Sequence, residues 1–242
     1  MERTSRILIF TPRLRHLGRA LASVARARSR YAQPLDVLEV EHDPPVALAD
    51  LHDPQSTLRN GGLARVLTHY QHARRVALAD ECYTHLLCIE DDMVIPPDTI
   101  DRLLACDAPV AYGLYCWRWG PPHLWSAYRW LFFDSGASWS DDEPHTAAHY
   151  FETATVREVA GVGFGCTLIR RDVLLSLDFR IPDDGTAAND WYFAHDCQRN
   201  GIRQVCDFGC VCGHIRLDPS ARVIWPAVVD GKAAYRYEYF EV

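Results

Sequence analysis

The strongest constraint on the fold of this chain is an alternation of two periods along its first half. Residues 7–10 (Ile-Leu-Ile-Phe) are a short apolar run stopped by Pro12. Residues 14–30 then place Leu14, Leu17, Leu21 and Val24 at helical spacing, with arginines on the other face. Residues 35–40 alternate like a half-buried strand and end in His42-Asp43-Pro44-Pro45, a stop with turn chemistry. Asn60-Gly61-Gly62 opens a second helical stretch over 63–79, and the buried-type strand 85–89 follows. Pro96-Pro97-Asp98 starts a helix through about Leu104, with Pro97 near its first turn, and 110–115 is a fourth strand. This order predicts an α/β fold, Rossmann-like, with a mostly parallel sheet flanked by helices and ligands beyond the carboxyl ends of the strands.

The pattern changes after Tyr115. Five of the seven tryptophans (Trp117, Trp119, Trp125, Trp130 and Trp139) fall in residues 116–155, with Pro121-Pro122 and the acidic run Asp141-Asp142-Glu143. The segment reads as a lid or insertion that serves as an acceptor platform. A membrane-interface belt and plain core filling are the other readings of so many rings. Beyond it, 159–169 reads as a glycine-punctuated strand, 171–177 as a short helix, Asn189 and Asp190 as a helix start, Asn200-Gly201 as its stop and 204–212 as the last strand, before Gly213-His214. With no internal repeat and no low-complexity linker, residues 1–242 read as one domain, with 217–242 a C-terminal extension.

Glu90-Asp91-Asp92 directly follows the apolar strand 85–89. In an extended chain, side chains two apart share a face, so Glu90 and Asp92 point one way and Asp91 another. Two carboxylates on one face suit a hard divalent cation such as Mg²⁺ or Mn²⁺ carrying a nucleotide diphosphate. The alternative is a solvated acidic turn. Asp190 alone reads equally as a first-turn acid favoured by the helix dipole. His214 gains interest from its place directly after a strand.

Taken together, these segments resemble the nucleotide-sugar glycosyltransferases of the A-type (GT-A) fold, family-two-like. Residues 85–104 (HLLCIEDDMVIPPDTIDRLL) are similar to their metal-binding D-x-D motif at a strand end. Residues 60–65 are similar to their preceding helix start, 159–174 to their glycine-rich segment with a paired-Arg helix, and Asn189-Asp190-Trp191 through Cys212-Gly213-His214 to their acidic-pair helix and closing Gly-His. Glu90 stands where that family usually has Asp, and Asn189 where it often has an acid. The resemblance implies a metal-dependent transferase acting on a nucleotide-diphospho-sugar donor, with Glu90, Asp92 and His214 holding Mn²⁺ or Mg²⁺. It implies Asp190 as general base of an inverting attack, or as a positioner of sugar hydroxyls in a retaining one. Donor contacts fall to Thr11, Arg13, Asp43, Arg65, Asp91 and Gly163, and acceptor contacts to Trp117, Trp119 and Trp191. The acceptor stays open among a glycan, a lipid-linked molecule, a protein and a modified nucleic acid, and the oligomeric state is open too. A nucleotidyltransferase on a related fold is the second enzyme class, although the chain lacks a Gly-rich, Lys-bearing N-terminal loop suited to a triphosphate.

The formal charge of −7 gives no whole-molecule attraction to a polyanion, but it is unevenly spread. Residues 1–75 hold 12 basic and 7 acidic residues, so the remainder is strongly acidic, as a cation site requires. Nine cysteines without a secretory leader predict free thiols in the reducing cytoplasm, and no run is apolar and long enough for a transmembrane segment. A non-catalytic sugar- or zinc-binding module is the remaining class, with Cys206, Cys210, Cys212 and His214 as its zinc set. A single strand rising ~3.3 Å per residue would separate Cys206 from His214 by far more than one ion spans.

Overall fold

The computed structural model describes residues 6–13, 18–41, 62–118, 122–132, 135–181, 188–216 and 221–240, and within them all side chains except those of residues 41 and 62–65. In chain order the first elements are β1 (Arg6–Arg13), α1 (Gly18–Arg30), β2 (Leu35–Glu41), α2 (Gly62–Ala79), β3 (Tyr83–Ile89), β4 (Met93–Val94), α3 (Thr99–Ala105) and β5 (Val110–Leu114). There follow β6 (Tyr128–Leu131), β7 (Gly136–Ser138), α4 (Trp139–Asp142), α5 (Pro144–Glu152), β8 (Val156–Glu158), β9 (Cys166–Arg170) and α6 (Arg171–Ser176). The last are α7 (Asn189–Arg199), β10 (Gln204–Val211), β11 (Gly213–Arg216), β12 (Arg222–Val229) and β13 (Lys232–Tyr239).

Seven strands form the central sheet in the order β2-β1-β3-β9-β5-β10-β8. β2, β1, β3, β5 and β10 run one way, while β9 and β8 run against them. The alternating α/β architecture is therefore present, with an antiparallel β9 between β3 and β5. β1 explains its central place: Ile7, Leu8, Ile9 and Phe10 are each at most 2% exposed, the continuous apolar run of a strand covered on both faces. Each such side chain contributes roughly 1.5–3 kcal/mol of transfer free energy. α1 buries Ala20, Ser23, Val24 and Ala27, a stripe at helical spacing. The polar member of that stripe is satisfied, because Ser23 Oγ donates to the Ala20 carbonyl (2.7 Å) and accepts from Ile95 N–H (3.0 Å), which ties the helix to the chain beyond β4.

Some expectations need correction. Within 159–169 only β9 is strand, since Gly163 takes φ +146°, outside strand geometry. α3 begins at Thr99 with Asp98 as its N-cap residue, which sets Pro97 just ahead of the first turn. β10 is not the last strand: β11, β12 and β13 join β4 in a second sheet, order β13-β12-β11-β4. The β12–β13 connection is Asp230-Gly231, at φ +50° and +68°, between paired Val229 and Lys232, which is a two-residue turn with both residues left-handed. Of the Trp-rich segment, Trp125 is core: it is fully buried, packs on Phe151 and Phe208, and donates Nε1–H to the Ala234 carbonyl at 2.7 Å.

Candidate metal centre

The acidic triplet joins the two sheets. β3 ends at Ile89, and Met93 N–H donates back to the Glu90 carbonyl (3.0 Å), so residues 90–92 turn instead of continuing the strand. Glu90 N–H donates to the Gly165 carbonyl (3.2 Å), which fixes the turn against the segment entering β9. The chain then forms β4, whose Met93 pairs with His214 and whose Val94 pairs with Gly213 of β11. That register carries His214 to Asp92. Ligand atoms of Glu90, Asp92 and His214 lie within 4.8 Å of one another, and this is the cluster of metal-ligating side chains among the described residues. Asp92 is fully buried, His214 is 7% exposed and Glu90 is half-buried.

Two features fit this cluster to a cation. His214 Nδ1 lies 2.8 Å from the Cys116 carbonyl, which can only accept, so Nδ1 carries a proton, and Nε2 stands 3.2 Å from Asp92 Oδ2. That second contact favours a positive charge between the two groups, either a proton on Nε2 or a metal ion. A backbone carbonyl on the far nitrogen is also the usual way a ligating imidazole is oriented. Two carboxylates and one imidazole are a donor set that could hold a divalent metal ion. A positive group already stands here: Arg118 Nη1 donates to Asp92 Oδ2, and Arg216 Nη1 holds the Arg118 carbonyl at 3.0 Å. Burial pulls the Arg118 guanidinium below its ordinary pKa, opposed by the charges of Glu90 and Asp91.

Tyr115, directly after β5, bridges this centre to Asp190. Its ring meets the His214 ring edge-on at 5.6 Å, and burial first, then the charges of Glu90 and Asp190, push its phenol well above the usual range. Gly163 explains how the two ends approach: a Cβ there would stand 2.3 Å from Tyr115 Oη and 3.0 Å from Asp190 Oδ2. Asp190 Oδ1 accepts from Trp191 N–H at 2.8 Å at the start of α7. Burial, then the charge of Glu90, raises the Asp190 carboxyl from 3.8 to about 6, against backbone hydrogen bonds that include one from Phe164.

No family model matches the chain, and no curated protein matches it. Among solved structures, A197 from STIV is similar over 98% of this chain and 97% of that chain, with a TM-score of 0.56 and 15% identity, a likeness of fold alone. A glycosyltransferase involved in the glycosylation of the major capsid of PBCV-1 aligns over 83% of this chain and 80% of its own, with a TM-score of 0.38 and 12% identity, a likeness too slight to argue from.

The structure thus brings Glu90, Asp92 and His214 together and sets Gly163 against Asp190. Thr11 is buried at the end of β1, its hydroxyl without a hydrogen-bond partner among the described residues, and Arg13 is paired with Glu39 at 3.1 Å. Asp91 is fully buried within the turn. Asp43, Trp119 and the side chain of Arg65 lie outside the described residues. Trp117 is 40% exposed and Trp191 half-buried. The zinc set does not assemble: Cys206, Cys210 and Cys212 are buried free thiols, while His214 is turned to Asp92 and Cys116. Tyr115 and Arg118 were not singled out from sequence. Tyr115 carried a signal, a polar-tipped aromatic at the carboxyl end of a predicted strand; Arg118 carried none that set it apart from the other arginines.

Proposed function

We propose that this chain is a GT-A-type, metal-dependent glycosyltransferase that moves a sugar from a nucleotide-diphospho-sugar to an acceptor hydroxyl. The observation that supports the reading most is the convergence of Glu90, Asp92 and His214 within 4.8 Å, where two sheets meet. Glu90, Asp92 and His214 would hold Mn²⁺ or Mg²⁺, which when bound neutralises charge on a leaving diphosphate. Thr11, with its unpartnered buried hydroxyl, Arg13, Asp91, Gly163 and, from sequence, Asp43 and Arg65 are the donor-binding residues in this proposal. Asp190 takes the acceptor proton. Its carboxyl, raised to about 6, is a stronger base than an ordinary aspartate yet is ionised at neutral pH, and the Trp191 N–H fixes its orientation. In a retaining enzyme the same residue would position sugar hydroxyls. Nine free thiols suit a cytoplasmic setting, and no helix among the described residues is long and apolar enough to cross a membrane.

The test is a panel of nucleotide sugars assayed for binding, hydrolysis and transfer with Mn²⁺ and with EDTA. Asp92→Ala is expected to abolish turnover and to weaken Mn²⁺ binding about 100-fold or more, read by paramagnetic resonance. Donor binding that is indifferent to metal would overturn the proposal. Release of pyrophosphate from a nucleoside triphosphate and a sugar phosphate would move the chain to the nucleotidyltransferases.

A further inference from the structure

We infer that Tyr70 is a positioning residue for Glu90, holding its side chain so that a carboxylate oxygen stays within reach of Asp92 and His214. The inference deepens the proposed metal centre and rests on it for the ion alone; the contact between the two side chains stands without it. Tyr70 lies on α2 and is 1% exposed. Its ring is enclosed by three phenylalanines: Phe10 meets it edge-on at 5.0 Å, Phe164 stacks on it at 4.8 Å and Phe179 meets it edge-on at 5.8 Å. A fourth phenylalanine would pack there as well, so the packing of the ring does not account for the hydroxyl. A buried phenol requires a polar partner. Tyr70 Oη–H finds one in Glu90 Oε1, to which it donates at 3.5 Å.

Glu90 needs such a hold. A glutamate carries its carboxylate on three rotatable bonds, and a ligand that samples several poses gives up affinity to the ordering of its side chain. The backbone is fixed, because Glu90 N–H donates to the Gly165 carbonyl at 3.2 Å, but that bond does not orient the half-buried carboxylate at the other end of the residue. A donor at one carboxylate oxygen restrains the last torsion, which is how ligating carboxylates are commonly kept in place. Tyr70 is too deeply buried to meet a substrate, so its influence on the centre passes through Glu90. The support beneath it is shared: Phe164, stacked on the Tyr70 ring, also gives its backbone N–H to Asp190.

The test is a pair of double-variant cycles on the full chain. In the first, Mn²⁺ binding is read by paramagnetic resonance for the wild type, Tyr70→Phe, Glu90→Asp and the two together. Aspartate is shorter by one C–C bond, about 1.5 Å, and falls out of reach of the phenol. Tyr70→Phe is expected to weaken Mn²⁺ binding about 10-fold in the wild type and less than about 2-fold beside Glu90→Asp. An equal loss in both backgrounds would show that Tyr70 acts through packing, and no loss in the wild type would show that Glu90 needs no support; either overturns the inference. The second cycle uses no metal and follows urea unfolding of the wild type, Tyr70→Phe, Glu90→Ala and the double variant. Tyr70→Phe should lower the unfolding midpoint in the wild type, and should raise it or leave it unmoved beside Glu90→Ala, where the phenol has lost its partner. The same shift in both backgrounds overturns the contact. A wild-type chain that binds no Mn²⁺ would defeat the metal centre instead, and the urea cycle would still decide whether Tyr70 holds Glu90.

Discussion

Replacing Asp190 by Asn should make the protein more stable and inactive, and the size of the gain can be worked from its surroundings. The carboxyl titrates near 6 in the folded chain against an ordinary 3.8, because burial and the charge of Glu90 oppose ionisation. At about 1.36 kcal/mol per unit, holding Asp190 charged at neutral pH costs ~3 kcal/mol of folding free energy. The amide has the shape of the protonated acid and keeps an oxygen for the Trp191 N–H, so most of that cost is recovered. After discounting for partial solvent exposure, Asp190→Asn should stabilise by about 2 kcal/mol near pH 7. The folded-state value is raised, so the wild-type penalty is absent below the unfolded value of 3.8 and grows as pH climbs to about 6. The difference between the two proteins in urea unfolding should therefore vanish near pH 4 and be complete near pH 7. Wild-type turnover should rise through the same interval as the base loses its proton, and the variant should bind donor without transferring. A stability difference between wild type and variant that is the same at pH 7 as at pH 4, or a variant that still transfers sugar, would refute the assignment of a strained base.

Two further substitutions probe the surroundings of this group. Gly163→Ala places a methyl 2.3 Å from Tyr115 Oη at φ +146°, so it should cost ~3 kcal/mol in a urea titration and displace Asp190; a neutral effect would show that Tyr115 is free to move aside. Arg118→Gln removes the guanidinium that an incoming ion must dislodge from Asp92, so Mn²⁺ alone should bind about 5-fold more tightly, and unchanged or weaker binding would show that the two cations do not compete.

How much of this was legible in the sequence depends on the length scale of each feature. The central strands and α2 announced themselves because a buried run such as residues 7–10, or a helix of several turns, repeats its pattern often enough to be read. The acids were visible at the end of β3, but the reason they converge was not: alternation along a strand was expected, and a turn was found. β4 has two residues and no period, so nothing local could show that Met93 pairs with His214. The β12–β13 hairpin does carry a sequence signal, for Asp230-Gly231 stands before the alternating Tyr235, Tyr237 and Tyr239, while Pro226 masks the strand on the other side. The Arg118 contact with Asp92 joins a loop to a turn, and no spacing rule connects those.

The pairing of β4 with β11 has a thermodynamic consequence. Asp92 and His214 are separated by 122 positions in the chain and meet because a four-stranded sheet holds them so. One ligand pair arises from the end of the larger sheet and the third ligand from a strand that the C-terminal hairpin supports. An ion bound across them would be a cross-link between two layers, and whatever loosens β12, whose Ile224 pairs with His214, or β13 behind it would be felt as a loss of affinity at the centre. Cation binding would then be a collective property of the junction, and β12 and β13 would help set the strength of a site to which they contribute no ligand.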